Sequence, residues 1–252
     1  MNLIINERDY SKFVAGVVSL GLEISQKQLE QFDLYYTLLI EKNKVMNLTA
    51  ITEFDDVVIK HFLDSISFYH LCKEGLLSSD DLKNHKLVDL GTGAGFPGIP
   101  LKIMFPELQV TLMDSLNKRI LFLQDVIAQL GLQKIEALHG RAEDLARNKS
   151  YREQFDFCVS RAVANISTLS EYCLPFVKVG GFFISYKSDQ SEEELAAGQH
   201  AISILGGHVK HVDSFVLPDS DFGRSLIVIE KEKSTGKKYP RKAGTPSKEP
   251  LS

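Results

Sequence analysis

The stretch LVDLGTGAGFPGIP, from Leu87 to Pro100, constrains the fold most, because four glycines follow directly on a short apolar run. A buried strand that turns through glycines into a helix is the ligand-binding unit of doubly wound α/β proteins. Glycine tolerates left-handed backbone and lets a ligand come close to the main chain. On its own, the stretch fits a dinucleotide, a phosphate group, a nucleoside-type cofactor or a structural turn.

The spacing of the glycines separates these alternatives. A dinucleotide fingerprint needs glycine where Phe96 stands, which disfavours a nicotinamide oxidoreductase, and the Gly-Lys-Ser/Thr of a phosphate-binding loop is missing. The pattern that remains, Asp-x-Gly-x-Gly-x-Gly, is typical of methyltransferases that use S-adenosyl-L-methionine. Backbone amides suit the methionine carboxylate of this cofactor, and an aspartate suits its ammonium group. The residues assigned to the cofactor here are Asp89, Gly91, Gly93, Gly95 and Phe96.

Two later strand ends carry further candidates for the cofactor site. Asp114 closes the second predicted strand, where an acidic residue can accept hydrogen bonds from ribose hydroxyls. After the third strand, GRAEDL puts Ala142 and Glu143 where this class of fold contacts adenine. Each residue alone is also explained by a tight turn or a solvated carboxylate. Because the carboxyl ends of parallel strands meet at one edge, the three positions together predict a single cofactor site.

Strand and helix patterns alternate after residue 85, which predicts a mainly parallel sheet with helices on both faces. The last two strands have no helix between them and are expected to pair antiparallel. The strands are predicted at KLVDL, LQVTLMD, KIEALHG, FDFCVSR, FFISYK, HVKHVDSFVL and RSLIVIEK. The predicted fold class is therefore α/β: a Rossmann-like, class I methyltransferase sheet with the last strand antiparallel, plus a small helical N-terminal part.

The chain divides into three predicted parts. These are a helical N-terminal part (1–80), an S-adenosyl-L-methionine-binding methyltransferase domain (81–231) and a basic, flexible tail (232–252). The N-terminal part contains a capping box at Ser25–Gln28, which predicts the start of a long helix. In the second part, the helix through Cys173 is expected to end at the glycine pair 180–181.

The composition excludes several classes of protein. At 252 residues, 44% hydrophobic and 25% charged, the chain has ordinary globular composition. Its three cysteines are an odd number without a CxxC motif, so we expect no disulfide framework and no metal site. No run approaches the roughly 18 apolar residues of a membrane span, and the N-terminus lacks the pattern of a leader. We therefore expect a cytoplasmic protein with no membrane partner. A monomer is a separate expectation, which the composition does not decide.

The target of methylation is narrowed by motifs that are missing. Methylation of adenine or cytosine amino groups uses Asn/Asp-Pro-Pro-aromatic after the fourth strand, where SRAVAN stands instead. Methylation of pyrimidine carbon-5 needs a cysteine nucleophile, but the spacing of Cys173 with Leu169 and Phe176 marks it as a core residue. Neither route is supported.

Several motifs together resemble one family. In chain order they are NKVMNLTAI, KHFLDSI, VDLGTGAGFPGIPLKI, DSLNKRILFL, GRAEDL, SRAVA and KKYPRKAGTPSKEPL. They are similar to those of the RsmG (GidB) family, over a range from about Gln28 to Leu251. The resemblance implies a bacterial enzyme that makes 7-methylguanosine at one guanine in the decoding-site loop of 16S rRNA. One departure is Lys42, where family members often carry tryptophan before the asparagine that matches Asn43.

The chemistry of guanine N7 agrees with this resemblance. N7 carries a free lone pair, so the enzyme needs positioning and exclusion of water rather than a general base. Arginine often binds guanine at O6 and N7 together, but that contact would cover the nucleophile. Arg161, after the fourth strand, is therefore assigned to positioning near the cofactor, or to O6 or a phosphate alone. A salt bridge at a strand end is the structural alternative.

The candidates for binding 16S rRNA or the small ribosomal subunit are spread along the chain. The tail is the main one, because residues 231–252 carry a net charge of +5 and the rest −9. Its prolines predict no helix and no packing, and we expect its removal to leave cofactor binding unchanged. For each candidate a solvated surface position is the alternative. The RNA-binding candidates are Asn47, His61, Lys118, Arg119, Lys187, Lys237, Lys238, Arg241 and Lys242.

Two other functions remain open from the sequence. The first is a methyltransferase for a small molecule or a protein, which a tail irrelevant to activity would favour. The second is a non-catalytic RNA-binding protein that keeps the fold, which failure to bind S-adenosyl-L-methionine would favour.

Overall fold

A seven-stranded sheet forms the centre of the molecule. The computed structural model describes residues 1–78, 82–161, 164–188 and 192–251. The strands of the sheet are β3 (Lys86–Leu90), β4 (Gln109–Asp114), β5 (Ile135–His139), β6 (Phe155–Ser160), β7 (Val177–Ser188), β8 (Gly207–Val216) and β9 (Gly223–Lys231). Their order is β5-β4-β3-β6-β7-β9-β8, and β9 runs antiparallel to both of its neighbours. The predicted mainly parallel sheet with an antiparallel last strand is confirmed.

Helices cover both faces of the sheet. They are α6 (Gly98–Met104), α7 (Asn117–Gln129), α8 (Ala142–Leu145), α9 (Ile166–Cys173) and α10 (Glu192–Ile204). Side chains alternate along each strand, so Leu87 packs into the core of one face and Val88 into the core of the other. The first core also holds α6 and α7, and the second holds α9 and α10. Because both faces of the central strands β3 and β4 are buried, these strands are apolar on both sides.

The N-terminal part packs against one edge of the glycine turn. It contains a short hairpin, β1 (Ile4–Ile5) and β2 (Arg8–Asp9), followed by α1 (Ser11–Ser19) and α2 (Gln26–Met46). Ser25 and Gln28 form the predicted capping box. Midway along α2, the hydroxyl of Tyr35 donates a 2.6 Å hydrogen bond to the carbonyl of Ala94 in the turn. This contact ties the longest helix to the predicted ligand site.

A helical segment with changing pitch joins this part to the sheet. It consists of α3 (Phe54–Val57), a π-helical turn (Val58–Leu63), α4 (Asp64–Ile66), a 3₁₀ turn (Ser67–Tyr69) and α5 (His70–Lys73). π-helical turns are rare and occur frequently at functional sites. The boundary predicted at residue 80 lies outside the described residues, and the division into three parts stays a prediction.

Two local predictions are wrong. The α-helix through Cys173 ends at that residue and is followed by a 3₁₀ turn (Leu174–Phe176). The glycine pair 180–181, predicted to end the helix, lies inside β7. The tail also differs from the prediction of an unpacked segment without a helix. It contains α11 (Thr245–Lys248), and Tyr239 and Pro246 are buried.

None of the helices in the described ranges has the length and apolar character needed to cross a bilayer.

Candidate functional site

A cavity of about 470 Å³ lies at the carboxyl ends of four neighbouring strands. This is the edge at which open α/β sheets bind ligands, and the volume is within the usual range for small-molecule sites. Its wall combines backbone, carboxylate and apolar groups. The residues that line it include Gly91, Met113, Asp114, Arg119, Ala142, Glu143, Ser160, Leu169, Tyr172 and Gly244.

The glycine turn above β3 has the backbone conformation that only glycine adopts readily. Gly91, Gly93 and Gly95 have φ angles of 71°, 62° and 108°. A Cβ atom on Gly95 would lie 2.7 Å from the Tyr35 hydroxyl, whereas one on Gly93 would meet only the Gly91 carbonyl oxygen, at 4.0 Å. Gly95 is therefore needed for packing, and Gly93 leaves an open approach to the main chain.

Asp89 lies beneath this turn and is fully buried. Its Oδ2 accepts hydrogen bonds from the Thr92 hydroxyl at 2.6 Å and the Gly98 amide at 2.8 Å. Its Oδ1 has no partner among the described residues. Burial raises the pKa of Asp89 to about 6. The carboxylate thus shapes the turn with one oxygen, and its other oxygen is an acceptor without a protein donor among the described residues.

Asp114 connects the turn to the cavity wall. Its Oδ2 accepts hydrogen bonds from the Gly93 amide at 3.0 Å and from Nη1 of Arg119 at 3.1 Å. Its Oδ1 accepts one from the Leu116 amide at 2.9 Å. The side chain lines the cavity, as predicted for a ribose acceptor, but Arg119 pairs with it there rather than facing outward. Lys118, its neighbour on α7, is exposed.

Glu143 contributes to the opposite wall at the start of α8. Ala142 and Glu143 both line the cavity, and Glu143 is buried. Its Oε1 accepts a 2.8 Å hydrogen bond from the amide of Gly244, a residue of the tail that also lines the cavity. Gly244 is not predicted as a site residue from the sequence, because nothing in the composition of the tail indicates that it returns to the sheet.

Arg161 lies outside this cavity, in a network of charged groups. Its Nη1 donates a 2.7 Å hydrogen bond to Oδ2 of Asp64, and Oδ1 of Asp64 accepts another from Arg224, also at 2.7 Å. The guanidinium lies 5.0 Å from the ring centre of Phe96, which was also assigned to the cofactor and which likewise does not line the cavity. Asp64 and Arg224 were also missed. The single acidic residue in the segment HFLDSI was the available signal for Asp64.

A second cavity, of about 370 Å³, lies beside this network. It is found where β6 and β7 end and β9 begins. Lys187 projects from β7 and donates to the Ala164 carbonyl at 2.8 Å and to Glu194 at 2.6 Å. The lining residues are Asp64, Arg161, Tyr186, Lys187, Ser188, Glu194 and Arg224.

His61 is packed between the turn and the NLT segment. Its ring stacks on Phe96 with 4.5 Å between ring centres. Arg161 donates to Nδ1 at 3.2 Å, which assigns the proton to Nε2, the atom 2.8 Å from the Thr49 hydroxyl. Burial, followed by the charge of Arg161, lowers the pKa of His61 to about 3. It is a neutral structural link rather than a surface histidine.

Asn43 holds the NLT segment, and Asn47, predicted as an RNA-binding residue, has no such role. Asn47 ends α2 in a left-handed conformation (φ 49°) and is exposed. Asn43 instead organises the loop, because its Oδ1 accepts hydrogen bonds from the amides of Leu48 and Thr49. Asn43 therefore organises this loop even though Lys42 stands where family members often carry tryptophan.

The predicted RNA-binding residues fall into two groups. Asn47, Lys118, Lys237, Lys238 and Lys242 are exposed. The side chains of His61, Arg119, Lys187 and Arg241 are engaged with protein partners, Arg241 with Glu171.

In the described part of the chain, no three His, Cys, Asp or Glu side chains are grouped to hold a metal ion.

Comparison with known proteins identifies the family. The family described as GidB, rRNA small subunit methyltransferase G, matches residues 28–222. The chain belongs to this family. Two relatives named ribosomal RNA small subunit methyltransferase G are 54% identical, in Lachnoclostridium phytofermentans, and 51% identical, in Alkaliphilus metalliredigens. These alignments cover 97% and 94% of this chain, and 98% and 96% of the relatives.

Solved structures agree on the fold. The crystal structure of a putative sarcosine dimethylglycine methyltransferase from Galdieria sulphuraria superposes with a TM-score of 0.52 at 13% identity. The match covers 72% of this chain and 89% of that one. It confirms the predicted class I methyltransferase fold.

Proposed function

We propose that this protein is an rRNA methyltransferase that uses S-adenosyl-L-methionine to methylate N7 of one guanine in the decoding-site loop of 16S rRNA. One observation carries the proposal: Gly91 of the glycine turn, Asp114 and Glu143 line one cavity at adjacent strand ends, and the Gly93 amide donates to Asp114. Membership of a family of small-subunit rRNA methyltransferases supports the choice of substrate. We expect the enzyme to work as a monomer in the cytoplasm, where ribosomal subunits are assembled.

The residues present fit the proposed cofactor. The cavity of about 470 Å³ can take a molecule of nucleoside size, and its wall offers two carboxylates. The unpartnered Oδ1 of Asp89 is a buried acceptor, and a positively charged donor such as the methionine ammonium would satisfy it. In this assignment Asp114 accepts the ribose hydroxyls, and Ala142 and Glu143 contact the adenine.

The chain's own residues supply positioning rather than acid–base chemistry. When bound, the cofactor supplies a methyl group made electrophilic by a sulfonium. Guanine N7 attacks with a lone pair that carries no proton, so no group has to remove one. His61, with its pKa lowered to about 3, stays neutral at physiological pH and holds Arg161 by accepting its hydrogen bond. Asp64 fixes the same guanidinium from the other side.

The second cavity is the proposed place for the target guanine. Its lining carries three cationic side chains, those of Arg161, Lys187 and Arg224, which are paired with the two carboxylates of Asp64 and Glu194. The excess of positive over negative charge suits an anionic nucleic acid. Because Asp64 occupies one side of Arg161, this arginine is not free to cover both N7 and O6 of the base. N7 therefore stays accessible for attack.

Nucleoside mass spectrometry of 16S rRNA tests the proposed reaction. RNA from cells without the gene should lack one 7-methylguanosine, and the wild-type gene on a plasmid should restore it. A full complement of this nucleoside after deletion would refute the guanine-N7 assignment.

Asp114→Ala tests the cofactor site. The substitution should weaken S-adenosyl-L-methionine binding by about 1.5–3 kcal/mol, because it removes a charged hydrogen-bond acceptor. The exposed Asp125→Ala, on the outer side of α7, is the matched control and should bind as wild type. Isothermal titration calorimetry measures both affinities, and equal values would remove Asp114 from the site.

A further inference from the structure

The C-terminal segment, defined here as residues 235–251, is anchored to the sheet domain. Arg152 donates hydrogen bonds to the carbonyls of Thr235 at 2.7 Å and of Tyr239 at 3.0 Å. The ring of Tyr239 is buried in the core beneath α9. The segment is thus part of the folded domain.

A charged pair fixes the middle of this segment. Glu171, on α9, is completely buried. One oxygen accepts the Arg241 backbone amide at 2.7 Å, and the Arg241 guanidinium donates from Nε to both oxygens at 3.0 Å and from Nη2 at 2.7 Å. The backbone amide and the guanidinium of Arg241 therefore supply hydrogen bonds to both oxygens of the Glu171 carboxylate. A buried carboxylate is costly without such a partner, so the pair holds the segment in one position.

The position fixed by this pair brings the segment to the first cavity. Three residues after Arg241, the Gly244 amide donates to Oε1 of Glu143 at 2.8 Å, and Gly244 lines the cavity. Gly244 has a φ of 80°, so the turn at this point favours glycine. Beyond it, the Thr168 hydroxyl donates to the carbonyl of the buried Pro246 at 3.0 Å. The chain is therefore hydrogen-bonded to α9 both before Gly244, through Arg241, and after it, through Pro246.

We propose that the C-terminal segment completes the S-adenosyl-L-methionine site, and that Arg241 is a positioning residue that holds Gly244 against Glu143. This inference rests on the function proposed above. The Gly244 amide uses one oxygen of Glu143 and fixes the carboxylate, which leaves the other oxygen as an acceptor for the cofactor. The expectation that removing the tail leaves cofactor binding unchanged is thereby reversed.

The test compares Arg241→Ala with Lys248→Ala, an exposed lysine in the same segment. Calorimetry with S-adenosyl-L-methionine should give roughly tenfold weaker binding for Arg241→Ala, equal to about 1.4 kcal/mol, and no change for Lys248→Ala. In steady-state assays on 30S subunits or 16S rRNA, the KM for the cofactor should rise for Arg241→Ala. The kcat at saturating cofactor and the KM for RNA should stay near wild type.

Thr168→Val provides a milder variant in case Arg241→Ala does not fold. It removes only the hydrogen bond to Pro246 and keeps the side-chain shape, so thermal melting should stay near wild type while cofactor binding weakens severalfold. Folded Arg241→Ala and Thr168→Val proteins that bind the cofactor within twofold of wild type would overturn the inference. If wild-type protein itself binds no S-adenosyl-L-methionine, the proposed function fails instead, so the two failures are distinguishable.

Discussion

Asp89 is buried, ionisable and incompletely hydrogen-bonded, a combination that costs free energy in the absence of a ligand. Burial raises its pKa from 3.8 to about 6 even though Thr92 and Gly98 both donate to it. A residue that only shaped the turn would gain nothing from the unpartnered oxygen. The cost is explained if a cationic group of the ligand binds there.

The first prediction concerns the pH dependence of stability. Between about pH 4 and pH 6 the unfolded chain has lost the Asp89 proton while the folded chain keeps it. The contribution of Asp89 to the free energy of unfolding therefore falls as pH rises through this window, by about 3 kcal/mol in total. Asp89→Asn should lack this fall, whereas the exposed Asp55→Asn should keep it. Urea unfolding at several pH values measures the difference, and parallel curves for all three proteins would contradict the assignment.

The second prediction separates two glycines of the same turn. A Cβ atom on Gly98 would clash with Leu112 and lie 2.8 Å from Asp89, whereas one on Gly93 meets no close neighbour. Gly98→Ala should therefore lower the melting temperature strongly. Gly93→Ala costs only about 1–2 kcal/mol of backbone strain and should mainly weaken cofactor binding. Melting curves and calorimetry on both variants give the comparison, and the reverse pattern would show that Gly93 is not at the ligand.

At the scale of elements, the carboxylate of Asp64 joins the π-helical turn to the end of β6 and the start of β9. Asp64 follows the turn directly, is only 2% exposed, and binds Arg161 after β6 and Arg224 in β9. It therefore links the N-terminal part to two strands of the sheet. The same contacts orient Arg161 beside Phe96, so the stability of this junction and the shape of the site are coupled.

The third prediction is that Asp64→Ala destabilises the protein by about 3 kcal/mol or more, because two arginines lose a buried partner. The matched control is Asp55→Ala, which removes an ion pair with Lys12 in which both side chains are 65% exposed. That change should cost less than about 1 kcal/mol. Guanidinium unfolding measures both, and similar small losses would show that the junction is held by apolar packing alone.

The elements that could be predicted from the sequence are those specified by local pattern. β3 and its glycine turn follow from an apolar run and from residues that need positive φ, and the strand ends then place Asp114 and Glu143. The π-helical turn has no such pattern, since apolar spacing does not distinguish it from an α-helix. Contacts between distant segments were also missed. Arg241 reads as one of several basic tail residues, and only the folded chain pairs it with Glu171.

For the whole molecule, the distribution of charge bears on how RNA is bound. The first 230 residues carry a net charge of −9, and the remaining residues carry +5. With Arg241 committed to Glu171, Lys237, Lys238 and Lys242 remain as exposed basic groups of the segment that are proposed to meet phosphates. These lysines offset the repulsion between an acidic body and an anionic substrate.

The fourth prediction uses these lysines together. A variant with Lys237→Gln, Lys238→Gln and Lys242→Gln should bind RNA more weakly, and its log–log salt slope should decrease by about 0.7–0.9 for each phosphate that the variant no longer neutralises. Cofactor affinity should not change, in contrast to Arg241→Ala. Filter binding over a salt series measures the slope. A slope equal to that of wild type would mean that these lysines only solubilise the segment.

The return of the C-terminal segment to the sheet also bears on the order in which a working enzyme arises during synthesis. Translation proceeds from the amino end, so every strand of the sheet exists before Gly244 has been added. A nascent or prematurely terminated chain can therefore contain every strand and the glycine turn and still lack the wall that Gly244 provides. Under the proposal above, such products would hold the cofactor poorly, and only chains translated past this glycine would become competent to modify the ribosome.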